Sequence, residues 1–123
     1  MLNSQTCPCD GNTLDRHVQP SILIALAKGP LHGYRLAGQL AELPLGDGRG
    51  PDMAGIYRTL QWMEQQGFVT ATWDTETHGP AKKTYQITEA GRQCLSRWVK
   101  SLDHYRRGLG RLLREARKTL EAD

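Results

Sequence analysis

Long apolar runs are missing from this 123-residue chain, and so is the layout of a secretory leader. No stretch approaches the roughly 18 apolar residues that span a bilayer. The opening MLNSQTCPCDG lacks a charged-then-apolar order. The expectation is a cytoplasmic protein with no membrane partner. Cysteine is scarce as well. Cys7, Cys9 and Cys94 cannot all pair within one chain, which fits free thiols in a reducing compartment. Repeats and low-complexity tracts are absent. Catalytic constellations are absent too: Ser21 and Ser96 stand alone, His32 has no neighbouring nucleophile with an orienting carboxylate, and no phosphate-cradling loop follows a strand. An enzyme is not expected, nor is a cofactor.

A surplus of one charge is lacking where it would be most informative. The net charge is +3, yet residues 1–87 carry seven Lys/Arg against eight Asp/Glu, and residues 88–123 carry nine against five. A global basic field is therefore a weak argument for a nucleic-acid partner, and any anion site in the first two thirds must come from local clustering.

What is present is a sequence of helical patterns followed by a change of period. The first dozen residues are polar and read as a loose arm. A first helix is expected from Gln19 to Lys28, with Pro20 in its first turn and Gly29-Pro30 ending it. Ile22, Leu23, Ile24 and Leu26 make it apolar almost all round, so it belongs at a centre or an interface. A second helix is expected over His32–Leu43, with Leu36, Leu40 and Leu43 on one face, followed by the turn-rich PLGDGRGP. Asp52 is a suitable N-cap for a third helix that runs to Gln66 and stops at Gly67. Ile56, Leu60 and Met63 mark its inner face; Arg58, Gln61 and Gln65 lie opposite, with Tyr57 at the boundary. Phe68–Trp73 and Thr84–Ile87 are β-prone and flank the tip DTETHGPAKK.

Thr88 caps a final helix from Glu89 to about Glu121. Along it Leu95, Trp98, Leu102, Tyr105, Leu109, Leu112 and Ala116 recur at alternating steps of three and four. Too little chain remains to cover such a stripe, so a partner helix is required, most simply from a second copy. Gly108 and Gly110 weaken its middle and allow a bend. The nine basic residues of this segment read as a solvated face with pairs inside the helix.

Three helices and then a two-stranded hairpin is the order of a winged helix. The expected fold class is mainly α with a small two-stranded β-hairpin (α+β). It divides into an arm (1–12), a winged-helix DNA-binding domain (13–87) and a C-terminal dimerisation helix (88–123). In such a layout the third helix enters the major groove and the hairpin lies along the backbone. The polar opening LHGYRL of the second helix then acquires a purpose. Its N–H groups and dipole favour an anion, Tyr34 and Arg35 add a hydroxyl and a guanidinium, and Gly33 lets the backbone come close. His32 is read as a cap or a further contact. Five of the seven basic residues before position 88 (Arg35, Arg49, Arg58, Lys82 and Lys83) fall on this one proposed surface, although Asp74 and Glu76 sit at the base of the wing.

Three pieces, ILIALAKGPLHGYRLAGQL, AGIYRTLQWMEQQGFV and GPAKKTYQITEAGR, together with the long last helix, resemble the PadR family of bacterial transcriptional regulators over roughly residues 20–120. The resemblance implies a winged helix that dimerises through its last helix and usually represses transcription. It implies Tyr34 as a phosphate contact, Tyr57 and Arg58 on the recognition helix, and Lys82 and Lys83 as wing contacts. The DNA-binding set expected is thus Tyr34, Arg35, Arg49, Gly55, Tyr57, Arg58, Gln61, Lys82 and Lys83. Relatives often carry Gly followed by Thr or Ser where this chain has Ala54-Gly55, so a small hydroxyl is missing here. Thr84 replaces a frequent aromatic.

Trp98 has two readings. It fills a dimer seam, or it stacks on a small planar effector, as a tryptophan on the last helix does in multidrug-binding members, with Trp62 or Trp73 near. Cys7-Pro8-Cys9 could chelate a metal or sense redox state, but only Asp10, His17 and Cys94 offer further ligands, and a solvated arm is the expectation. The reading is a homodimeric DNA-binding regulator, a repressor of a palindromic operator released by an effector. Alternatives are a winged-helix protein-interaction module without DNA binding, and a metal- or redox-sensing regulator using Cys7 and Cys9.

Overall fold

The computed structural model describes residues 17–41, 53–74, 79 and 82–122. The arm with Cys7 and Cys9, Leu43, Arg49, the proposed cap Asp52 and the wing acid Glu76 lie outside the described residues. The elements are α1 (Val18–Ala27), β1 (Leu31–His32), α2 (Gly33–Ala41), α3 (Met53–Gln65), β2 (Val69–Asp74), β3 (Lys82–Ile87) and α4 (Glu89–Ala122). None of these helices is long and apolar enough to cross a membrane.

Helix α1 is the hub and touches α2, α3, α4 and β3. Its Ile22, Leu23 and Leu26 meet Leu36 and Leu40 of α2, Ile56, Leu60 and Met63 of α3, and Val69, Tyr85 and Ile87 of the sheet in one core. Each fully buried aliphatic side chain there stabilises the fold by about 1.5–3 kcal/mol. Burial does not extend all round α1, however: Ile24 is partly exposed at the surface.

Three junctions are set by local chemistry. Gly67 adopts φ +82° after α3. Its N–H bonds to the Glu64 carbonyl and the Phe68 N–H to the Met63 carbonyl, the paired bonds of a Schellman stop. Thr88 begins α4: its hydroxyl accepts the Gly91 N–H at 3.0 Å and donates to the Gly67 carbonyl at 2.6 Å. Gly91 is then pressed against the α3–β2 junction, where a Cβ would overlap the Phe68 carbonyl oxygen and stand 2.8 Å from Ile87 Cγ1.

The sheet corrects the sequence reading. It has three strands in the order β1-β3-β2, not two, because Leu31 and His32 pair antiparallel with Tyr85 and Thr84. A two-residue strand carries no alternation to detect; Gly29, at φ +152°, and Pro30 turn the chain into it. Consequently α2 starts at Gly33 rather than His32. Of the wing strands, β2 is shifted by one residue from the expected Phe68–Trp73, and β3 begins two residues before the expected Thr84. Lys82 and Lys83, assigned to the tip by their low β-propensity, pair with Asp74 and Trp73, where opposite charge and an aromatic neighbour compensate.

Helix α4 runs unbroken through Gly108 and Gly110. Its first turns dock through buried Gly91 and Cys94 and half-buried Leu95 and Trp98. Leu102 is half-buried, whereas Tyr105, Leu109 and Leu112 are exposed in the single chain. Around them Arg106 and Arg107 pair with Asp103, and Lys118 with Glu115, within the helix.

Candidate nucleic-acid interface

The start of α2, the outer face of α3 and the wing meet along one open groove of about 940 Å³. Its walls are His32, Tyr34 and Arg35, then Tyr57 of α3, then Trp73, Lys82, Lys83 and Tyr85 of the wing. A hollow of about 610 Å³ continues it along α3 past Gln61, Glu64 and Gln65, sharing Tyr57, Lys83 and Tyr85. Six of the expected residues (Tyr34, Arg35, Tyr57, Gln61, Lys82 and Lys83) are therefore brought together. Tyr34 is 81% exposed, against 41% for Tyr57, so its phenol is open to a partner.

Two expected residues are not brought into the groove. Arg58 is exposed on α3 but lines neither hollow, since one residue beyond Tyr57 turns a helix by about 100°. Gly55 is half-buried, and its carbonyl accepts the Thr59 hydroxyl at 2.9 Å.

Gly33 makes possible the close packing of two phenol rings. A Cβ on it would stand 3.0 Å from Tyr57 Cε1, 3.2 Å from Tyr57 Oη and 3.4 Å from Tyr85 Cε2. This room lets α2, α3 and β3 approach each other at a single point. The glycine in LHGYRL thus serves packing inside the protein.

Lys83 lies beside that junction. Its ammonium is 3.2 Å from Glu64 Oε1 of α3, 5.8 Å from the Trp73 ring centroid and 5.3 Å from that of Tyr85. Burial pulls its pKa down, but the hydrogen bond and charge of Glu64 and the neighbouring Tyr85 phenol outweigh this, so it lies above the ordinary lysine value. Burial pushes the Tyr85 phenol up, and the charge of Lys83 offsets only part of the rise. At neutral pH the site therefore presents a neutral phenol and an engaged ammonium, with Arg35 and exposed Lys82 as further cations.

Sequence reasoning missed Glu64, Trp73 and Tyr85 as parts of this site. The signal was the period-2 spacing of Ala71 with Trp73 and of Lys83 with Tyr85, which puts these four side chains on one face of the hairpin. Trp98, in contrast, lies far along the chain beside His17: their ring centroids are 6.5 Å apart, and that of Tyr105 is 6.4 Å from His17, both edge-on. Neither Trp62 nor Trp73 joins it in a ring contact; Trp62 tilts against Phe68 at 6.0 Å. Among the described residues no cluster of His, Cys, Asp and Glu could hold a metal ion.

Residues 22–97 match the Transcriptional regulator PadR-like family. The chain is 35% identical over 79 residues to the Probable transcriptional regulator Rv1176c of Mycobacterium tuberculosis, covering 64% of this chain and 41% of that protein. It thus spans about two fifths of the length of that curated relative. Among solved structures, TA0346 of Thermoplasma acidophilum has a TM-score of 0.71 at 30% identity, over 82% of this chain and 94% of that one. PadR of Bacillus subtilis, solved in complex with operator DNA, has a TM-score of 0.60 at 31% identity, over 68% of this chain and 47% of that one.

Proposed function

This chain belongs to the PadR-like family of transcriptional regulators, and on that premise we propose that it is a homodimeric DNA-binding repressor whose operator contacts lie along the α2–α3–wing groove. The observation that carries the reading is the convergence of Tyr34, Arg35, Tyr57, Gln61 and Lys82 from three separate elements onto one open surface. Phosphate contacts fall to Tyr34, Arg35 and Lys82, which offer hydroxyl and cationic donors without a fixed base geometry. Base edges fall to the exposed face of α3 with Tyr57, Arg58 and Gln61. Arg58→Ala costs about 1–3 kcal/mol of operator affinity if its guanidinium is bidentate to guanine. Gly55 permits close approach beside them, and Arg49, which precedes α3 in the sequence, is proposed as a further cation.

The second copy covers the exposed side of α4. Tyr105, Leu109 and Leu112, with Val99, Leu113 and Leu120, leave more apolar surface in water than one chain can hide. Two heads joined in this way read half-sites of a palindrome about one helical turn apart. Release by a small planar effector is assigned to the surroundings of Trp98, where quenching of its fluorescence by such ligands is the direct readout.

The test is fluorescence anisotropy on duplex DNA from upstream of the protein's own coding region, as a salt series. Saturable binding with a steep negative slope of log K against log salt is expected. A protein that ignores duplex DNA at low salt while remaining folded would instead be an interaction module. The charge balance of residues 1–87, seven basic against eight acidic, is the feature that favours that second reading.

A further inference from the structure

Lys83 and Glu64 tie two elements of the groove together. Lys83 is on the wing strand β3, Glu64 on the last turn of α3, and their side chains are 31% and 37% exposed with Nζ and Oε1 at 3.2 Å. The register places Lys83 opposite Trp73 and, two residues on, Tyr85 opposite Ala71, so the ammonium also stands over two rings of its own hairpin. An ammonium with a carboxylate and two π-faces around it is already engaged within the protein. Its neighbour Lys82 also lines the groove but is exposed, with Asp74 as its cross-strand partner and, among the described residues, neither Glu64 nor a ring against its ammonium. Two adjacent lysines that look equivalent as sequence thus have different surroundings.

We infer that Lys83 and Glu64 are a positioning pair that fixes the angle between the wing and the recognition helix, while Lys82 alone supplies the wing's phosphate charge. The inference rests on the DNA-binding reading above and deepens it. The Gly33–Tyr57–Tyr85 junction pins the start of α2 to α3 and β3; the ion pair pins β3 to the far end of α3, some two turns from Tyr57. Two anchors set an angle where one would leave a pivot. The same geometry explains why a carboxylate is tolerated beside a surface meant for polyanions: its charge is matched from within the protein.

The experiment compares Lys83→Met, Glu64→Gln, the double variant and Lys82→Ala in the full-length protein. Operator affinity and its salt slope are read by anisotropy, and amide exchange of β2 and β3 is read without DNA. Lys83→Met keeps contact with the two rings but loses the charge. It is expected to weaken operator binding about threefold per half-site with an unchanged slope, whereas Lys82→Ala shallows the slope by about one per half-site. Lys83→Arg, which can still reach Glu64, restores most of the affinity. Glu64→Gln is expected not to tighten binding, although it removes a negative charge facing DNA. Both single variants speed amide exchange in the hairpin, and the double variant is no faster than either, because the two side chains act as one unit.

A slope reduced by about one per half-site in Lys83→Met, tighter binding by Glu64→Gln, or additive exchange effects would overturn the pair and return Lys83 to the phosphate contacts. If the wild-type protein ignored DNA altogether, the functional reading would fail on its own. The exchange cycle would still decide whether the ion pair holds the wing.

Discussion

The two halves of α4 share one helix and one apolar stripe, yet their surroundings differ completely. The near half buries Gly91 and Cys94 and packs Leu95 and Trp98 on the core of its own chain. The far half, from Tyr105 onward, exposes Tyr105, Leu109, Leu112, Leu113 and Leu120, flanked by Arg and Lys. A continuous heptad pattern is therefore packed against its own head at one end and exposed at the other. The first seam joins the helix to its own head, and the exposed stripe is the proposed second. The switch falls near Leu102, half-buried between them.

Breaking the first seam should give the largest effect. Gly91→Val sets a branched side chain against the Phe68 carbonyl, a backbone atom that cannot swing aside. A loss of about 3 kcal/mol or more is expected, seen as a fall of roughly 10 °C or more in melting temperature. Breaking the second seam should act on association instead. Leu109→Asp combined with Leu112→Asp is expected to convert two-chain particles into single chains in sedimentation, with the helical circular dichroism of the head retained. Should that variant unfold as a whole, the far half would be part of the protomer's own stability and the contrast would collapse.

Smaller effects sharpen the comparison between structural and ligand-facing residues of the head. Gly33→Ala pushes on Tyr57 and Tyr85 by a few tenths of an ångström and is expected to cost about 1–2 kcal/mol by chemical denaturation. Lys82→Ala should change stability by under about 1 kcal/mol and shallow the salt dependence of DNA binding by about one per half-site. The smallest effect concerns pH. The folded pKa of Lys83 lies above its ordinary value of 10.5. Its pairing with Glu64 therefore contributes in full below that value and is lost only as pH rises through the folded pKa. Denaturation midpoints of wild type and Lys83→Met should keep a constant gap from neutral pH to about pH 9 and converge in strong alkali.

Much of this architecture was legible in the sequence, and the gaps have physical causes. Gly67 as a helix stop, Thr88 as a cap and the inner triplet Ile56, Leu60 and Met63 follow from local rules, and the structure has each of them. The strand Leu31–His32 was not legible, because two residues carry no periodicity and the pairing partner lies more than fifty positions away. Gly91 carries no local signal of its role, since only the approach of the Phe68 carbonyl reveals it. The site shows the same division. Tyr34, Arg35, Tyr57, Gln61 and the two lysines were identifiable as polar groups without a core task, and they do converge. That Lys83 differs from Lys82 depends on the two rings beside it and on a carboxylate nineteen residues back in the chain. Charge clustering counts both lysines alike.

Amide exchange of the full-length protein with and without its upstream DNA tests the central claim most directly. The account predicts protection confined to residues 31–36, the outer face of 53–65 and the wing strands, with the basic far half of α4 unchanged. Protection appearing on α4 beyond residue 105 while the groove stays as open as in the free protein would contradict it.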